Sequence, residues 1–288
     1  MSTVFPEPLF EYWVGLSPGA FSVNDLSNQI DIRQIYVDMC EKLVFKGVLD
    51  RYKDRRGWYI PKQAELIELD FKKAEVKPVD IWLPFNLSDL VEIHPGNIII
   101  FSGIPNSGKS AMFYNIIYEN QEKGWDIHLF NSESGAGELK KRLNKFPHRA
   151  IEDWNFKAWQ RSERFADVIK QGENSLNVID FLEVHDEFYI VGKRIKEIHD
   201  RLNGAIAIIG LQKNPGRDTG LGGYRMLEVT RLAVALESGT VKIVKAKNFK
   251  RPDINPNGLV KDFNIIDGYQ IIDRHGWYRQ KDKKDDTD

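Results

Sequence analysis

Residues 101–112 read FSGIPNSGKSAM, and this stretch decides the fold. Gly103 and Gly108 bracket four residues, and Lys109 and Ser110 follow directly. The pattern G-x-x-x-x-G-K-S/T is that of a loop that cradles phosphates. Each part has a physical task. The glycines let successive backbone N–H groups turn inward onto phosphate oxygens. Lys109 neutralises the β and γ phosphates, and the Ser110 hydroxyl is placed to hold Mg²⁺. The helix that follows offers its positive N-terminus to the anion. The context fits, because the motif joins an apolar run, NIIIFSG (97–103), to a helical pattern, KSAMFYNIIYENQEKG (109–124). Gly103, Ile104, Pro105, Asn106, Ser107, Gly108, Lys109, Ser110 and Ala111 are therefore the candidate nucleotide-binding residues, with ATP and Mg²⁺ as the expected ligands.

Outward from the loop, the chain alternates. The strand DIHLFN (126–131) is followed by the helix AGELKKRLNKF (136–146) and, after an interval, by the strand LNVIDFLEV (176–184). The helix FYIVGKRIKEIHDRL (188–202) and the strand AIAIIGLQ (205–212) come next. Alternation of this kind predicts an α/β domain with a mostly parallel sheet. Beyond Gly223, the runs RLAVALE, TVKIVKAKN, FNIID and YQIID predict strands alone, read as an antiparallel C-terminal extension. Three polar residues fall at strand ends, where an open sheet keeps its ligands. Asp180 closes an apolar strand and is the candidate second Mg²⁺ ligand with Ser110. Its weaker competitors are Glu183, Asp186 and Glu187. Glu133, just past the second strand, is placed to accept a proton from an attacking water, and equally to favour the following helix N-terminus. Gln212 is placed to sense the terminal phosphate, or is simply a polar strand end.

Residues 1–62 predict a separate small domain. Ser22 is a candidate N-cap of a short helix. Ile32, Ile35, Tyr36, Met39, Cys40 and Leu43 follow at helical spacing, with Gly47 as the stop. Val48 and Leu49, then Trp58, Tyr59 and Ile60, flank a charged turn closed by Gly57. Helix, turn, longer helix and hairpin resemble a winged helix-turn-helix. In such a domain the second helix enters the major groove and the wing touches phosphate. Arg33 and Gln34, with Lys42 and Lys46, lie on the candidate recognition helix, and Arg51, Lys53, Arg55 and Arg56 in the candidate wing. Yet the segment holds eight Lys/Arg and eight Asp/Glu, so a protein-contact role stands beside DNA binding. Residues 63–80 read as a linker, 81–279 as the nucleotide-binding domain and 280–288 as a charged tail.

Further motifs carry a resemblance. The phosphate-loop unit, then FNSESGAGELKKRL, NVID and IIGLQKN, resembles the RecA-like ATPase core. It is most similar to the branch of DnaB-type replicative helicases and RadA/KaiC-like proteins. The lead-in LPFNLSDLVEIHPGNIIIFSG (83–103) is similar to that branch too. The resemblance spans residues 81–279. It implies ATP hydrolysis, with Glu133 as catalytic glutamate, Lys109 on the phosphates, Asp180 as the Walker B acid and Gln212 as sensor. It also implies a homo-oligomer, hexamer or filament. RDTGLGGYR (217–225) falls at the loop that faces nucleic acid, which makes Arg217 and Arg225 DNA candidates. Lys245 and Lys247 fall where basic residues reach the neighbouring subunit's nucleotide. Three features depart from that pattern. The helicase N-terminal helical domain is replaced by the segment 1–62. The second strand ends in NSES rather than SLE. Lysine stands where arginine is commoner at the trans-acting position.

Composition bounds the remaining classes. The 288 residues are 42% hydrophobic and 29% charged, with a formal net charge of −1, so any nucleic-acid surface must be local. The single Cys40 excludes an internal disulfide and a Cys-based zinc site and fits a cytoplasmic setting. The opening residues lack the basic-then-apolar pattern of a secretion signal. No apolar run approaches the ~20 residues of a membrane span, and the six histidines show no metal-ligand spacing. The expected function is a DNA-associated ATPase motor of replication or recombination. The alternatives are an ATP-switched, duplex-binding regulator or partition-like factor, and a filament-forming single-strand recombination mediator.

Overall fold

A computed structural model describes residues 4, 6–17, 19–27, 29–53, 55–62, 71–73, 77–182 and 190–280. Most of the 63–80 linker, the tail 281–288, and Glu183, His185, Asp186 and Glu187 lie outside the described residues. The chain divides into two compact units, Met1–Ala74 and Glu75–Asp288.

The smaller unit is α/β. It contains α1 (Glu7–Leu16), β1 (Phe21–Ser22), α2 (Val23–Leu26), α3 (Ile30–Phe45), β2 (Leu49–Arg51) and β3 (Trp58–Pro61). The strands form an antiparallel sheet in the order β1-β3-β2. Ser22 caps α2 in a reciprocal capping box with Asp25, which satisfies two otherwise orphaned N–H groups. Gly47, at φ 74°, ends α3 as its sequence position predicts. Tyr36, Cys40 and Leu43 form the buried stripe of α3. They meet Phe10 and Val14 of α1, a helix that the sequence reading left unassigned, together with Leu49 and Tyr59 of the sheet.

The larger unit is built on one sheet. Its strands are β4 (Ile98–Gly103), β5 (Asp126–Asn131), β6 (Lys157–Gln160), β7 (Ser175–Asp180), β8 (Ile206–Gln212), β9 (Thr230–Glu237), β10 (Thr240–Ala246), β11 (Leu259–Ile266), β12 (Gln270–Asp273) and β13 (Tyr278–Arg279). The order is β12-β11-β10-β9-β4-β8-β7-β5-β6, with β13 beside β11. All pairings from β9 to β6 are parallel, and those from β9 to β12 are antiparallel. The helices are α4 (Lys109–Asn120), α5 (Ala136–Leu143) and α6 (Ile190–Arg201). Alternate residues of β4 serve opposite faces, as the strand period of 2 requires. Ile99 and Phe101 pack towards α4 and α5, while Ile98 and Ile100 pack towards α6. Both faces are thus covered, which explains why β4 and β8 read as continuous apolar runs.

Two details differ from the sequence reading. RLAVALE, assigned to the antiparallel extension, is β9 and pairs in parallel with β4; only β10 onward is antiparallel. The interval before β7 holds β6, an exposed edge strand. Among the described residues no helix is long and apolar enough to cross a membrane.

Candidate functional site

Strand β4 delivers the chain to the carboxyl edge of the sheet at Gly103, between Gln212 of β8 and Leu236 of β9. A Cβ on Gly103 would stand 2.3 Å from Ser107 Oγ, so the close loop needs glycine there. Gly108 opens α4 at φ 94°, and a Cβ on it would fall 2.2 Å from Ile265 Cδ1 of β11. The Ser107 hydroxyl donates to Ile104 O at 2.8 Å. Lys109 folds its ammonium back onto the loop and donates to Gly103 O at 2.8 Å and Ile104 O at 3.0 Å. Burial lowers its pKa; the carboxylates of Asp180 and Glu133 work against that, and the Lys213 ammonium reinforces it.

Asp180 ends β7 and is 6% exposed. Burial pushes its carboxyl up to about 6; the nearby Ser110 hydroxyl and the charges of Lys109 and Arg142 work against that, and the Glu133 carboxylate adds to the rise. Glu133 lies in the turn after β5. Asn131 folds that turn: its Oδ1 accepts from the N–H groups of Glu133 and Ser134, each at 3.1 Å, and its amide donates to Ser134. Ser132 ties the turn to β7. Its N–H donates to Asp180 O at 3.0 Å, and its hydroxyl accepts from Phe181 N at 3.3 Å. The NSES sequence is therefore what binds the Glu133 turn to the Asp180 strand end.

The structure thus brings Lys109, Ser110, Asp180 and Glu133 into one electrostatic cluster, with Gln212 in register beside Gly103. The donor set fits Mg²⁺. A buried carboxylate with a raised pKa beside a hydroxyl is a hard oxygen site short of positive charge. Among the described residues no group of three or more His, Cys, Asp or Glu is placed to hold a metal ion.

Two residues that lie beside this cluster went unread in the sequence. Arg142 of α5 pairs with Glu138 and acts on Asp180 and on the raised hydroxyl of Tyr114. Its signal was the ELKKRL helix itself, which places Arg142 one turn past Glu138. Lys213 follows Gln212 and is buried; no local signal marks it, since its partner Glu237 is 24 residues away.

Lys245 and Lys247 do not join this cluster. Lys245 donates to Leu227 O, and Lys247 N to Arg231 O. Ala246 is opposite Leu232 at the start of β9, whereas Leu236 near its end faces Gly103. Both lysines thus sit at the sheet edge opposite their own chain's phosphate loop. Burial, then Lys247 and Arg231, lower the Lys245 pKa. Arg217 and Arg225 are exposed on the segment that follows β8.

In the smaller unit the basic residues are largely engaged. Arg33 donates to Asn24, Gln34 to Asp38, and Arg51 to Glu41. Lys42 pairs with Glu7, and Lys46 with Glu7 and Glu11. Lys53 and Arg55 lie over the rings of Tyr52 and Trp58, and Arg56 is exposed in the β2–β3 hairpin. The exposed face of α3 carries Asp31, Gln34, Ile35, Asp38 and Lys42.

No known protein-family pattern matches the chain, and no curated protein matches it by sequence. Among solved structures, the chain is similar to a KaiC-like protein from the hyperthermophilic archaeon Pyrococcus horikoshii. The TM-score is 0.53 at 16% identity, covering 70% of this chain and all of the other. The larger unit therefore has the RecA-like α/β fold of the KaiC-like proteins.

Proposed function

We propose that this chain is a Mg²⁺-dependent ATPase that assembles with copies of itself and acts on DNA in a cytoplasmic setting. One observation carries the hydrolytic part: Lys109, Ser110, Asp180 and Glu133, from three separate elements, share one electrostatic site at the end of β4. Lys109 would leave the carbonyls of Gly103 and Ile104 for the β and γ phosphates. Ser110 and Asp180 would hold Mg²⁺, which neutralises the phosphate charge when bound. Glu133 would take the proton of the attacking water, its charge held in place by the Asn131 turn. Gln212, beside Gly103, would report the terminal phosphate.

Assembly is inferred from Lys245 and Lys247. They lie at the edge remote from their own phosphate loop, so any part they take in catalysis is played in a neighbour's site, where ammonium groups stabilise transition-state charge. DNA is the proposed polymer because Arg217 and Arg225 are exposed on the segment that follows Gln212. The strand order β1-β3-β2 beside three helices supports taking the smaller unit as a winged helix. Asp31 and Asp38 on the outer face of α3 oppose entry into a groove lined with phosphate. Its DNA contact would therefore be made by the wing, through Lys53, Arg55 and Arg56. That charge distribution speaks against the duplex-reading regulator and leaves the filament-forming mediator as the second reading.

The test is steady-state ATP hydrolysis with no DNA, single-stranded DNA and duplex DNA, beside Lys109→Ala and Glu133→Gln. Single-strand stimulation that disappears in both variants is expected. Turnover indifferent to DNA would remove the motor reading, and turnover that survives both substitutions would remove the assigned site.

A further inference from the structure

The segment after β8 is a closed loop, and a lysine lies at its centre. Leu221 N donates to Gln212 O at 2.8 Å and closes residues 212–221 upon themselves. Inside, the Lys213 ammonium donates to Arg217 O at 2.7 Å, to Asn214 O at 3.5 Å and to the Glu237 carboxylate. The same carboxylate oxygen accepts from Gly216 N at 3.0 Å. The Lys213 side chain is only 1% exposed. A second ion pair, Lys242 to Asp218 at 2.7 Å, ties the outer part of the loop to β10. Gly220 N donates to Met226 Sδ, and a Cβ on Gly220 would stand 3.0 Å from Leu211 Cβ.

A lysine beside the sensor position invites the reading that it reaches the phosphate. Its surroundings say otherwise. All its acceptors belong to the loop and β9, and a buried ammonium with three oxygen partners is costly to remove from them. Its backbone, however, touches the phosphate loop. Lys213 N donates at 3.3 Å to Gly103 O, the carbonyl that also holds the Lys109 ammonium.

We propose that Lys213 and Glu237 form a positioning pair that makes loop 213–221 move as one body with Gln212 and the Gly103 carbonyl, so that nucleotide occupancy is transmitted to the surface carrying Arg217. This rests on the ATPase reading above. When Lys109 leaves Gly103 O for a phosphate, that carbonyl keeps only the Lys213 N–H, and the loop follows because its interior is fixed to Lys213. Without the pair, residues 214–219 lose their internal anchor and respond independently of the nucleotide. Neither residue touches the nucleotide in this scheme.

The experiment is amide hydrogen–deuterium exchange on the full chain, with and without Mg²⁺ and a non-hydrolysable ATP analogue. Analogue affinity is measured in parallel for wild type, Lys213→Met, Glu237→Gln, the double variant and Lys213→Arg. The double variant leaves no lone buried charge and so guards against simple misfolding. In wild type without nucleotide, the Gly216 and Leu221 amides are already protected, and the analogue changes exchange across 213–221 by about tenfold or more, the scale of 1.4 kcal/mol. Lys213→Met and the double variant bind the analogue within about threefold of wild type, a difference under 1 kcal/mol, yet lose the loop response. Lys213→Arg retains it. Variants that bind nucleotide and keep the full response overturn the proposal, as does rapid exchange of Gly216 and Leu221 in wild type. Wild type that binds no nucleotide overturns the ATPase reading itself, and the binding arm reveals that separately.

Discussion

Asp180 is a carboxyl group in tension with its own surroundings. Its pKa is raised from 3.8 to about 6, so the fold favours the protonated form. The native chain holds more protons than the unfolded chain between those values, and stability contributed by this group is lost as pH rises from below 4 to above 6. Asp180→Asn is therefore expected to raise stability in metal-free buffer at pH 7 by up to about 3 kcal/mol while abolishing hydrolysis. Denaturant melts at pH 4 and pH 7 check this, because the gain should vanish at the lower pH. Cys40 shifts the same way for the same first cause: burial pushes its thiol up to about 12. Thiolate is thus withheld in the native state at pH 8–9, where the unfolded thiol ionises. A thiol-reactive chromogenic disulfide should label Cys40 only at the rate of unfolding, and rapid native labelling would contradict the burial. At this scale the sequence was informative where one short segment holds the whole signal. Lys109 and Ser110 come from the loop pattern, and Asp180 and Glu133 from their places at strand ends. Arg142 and Lys213 were missed because the groups they act on, Asp180 and Glu237, are brought to them by the sheet.

The same limit governs whole elements. β4 and β8 were legible because burial on both faces leaves an unbroken apolar run, and β7 because Leu176, Val178 and Ile179 lead to an acid at the strand end. β6, KAWQ, is exposed throughout and has no such run. β9 was recognised as a strand but misplaced, since the direction of a strand's partner leaves no mark on its residues. Helix α1 escaped because Leu9 and Tyr12 are exposed alongside the buried Phe10 and Val14, which blurs the helical stripe. Contacts between elements make the sharpest prediction. Gly108 combines φ 94° with a Cβ site 2.2 Å from Ile265 Cδ1. Gly108→Ala is expected to cost about 2–4 kcal/mol, from backbone strain and overpacking together. Adding Ile265→Ala should relieve the steric part and leave the strain. Equal destabilisation of single and double variants, read from denaturant midpoints, would show that β11 does not press on the loop.

For the molecule as a whole, the division into Met1–Ala74 and Glu75–Asp288 gives each unit its own apolar core. A fragment of residues 75–288 should unfold cooperatively and keep basal ATP hydrolysis, to be checked by calorimetry and turnover. Mixing tests the assembly. In the arrangement proposed above, Glu133→Gln would supply lysines to a neighbour but have a dead site, and Lys245→Ala/Lys247→Ala would have a sound site but no lysines to offer. Each alone should be inactive, and a mixture should recover activity at the interfaces that unite the intact halves; no recovery would remove the trans role. In that proposed arrangement, a phosphate loop and a lysine pair on opposite edges of one sheet would give each copy a front and a back. Such a contact is heterologous, so a two-fold symmetric pair cannot satisfy it. An open stack always ends in one chain whose site lacks a donor and one whose donors lack a site, and only closure into a ring leaves none idle. The specific activity of an open assembly therefore climbs with its length, whereas that of a ring is fixed once the ring has formed.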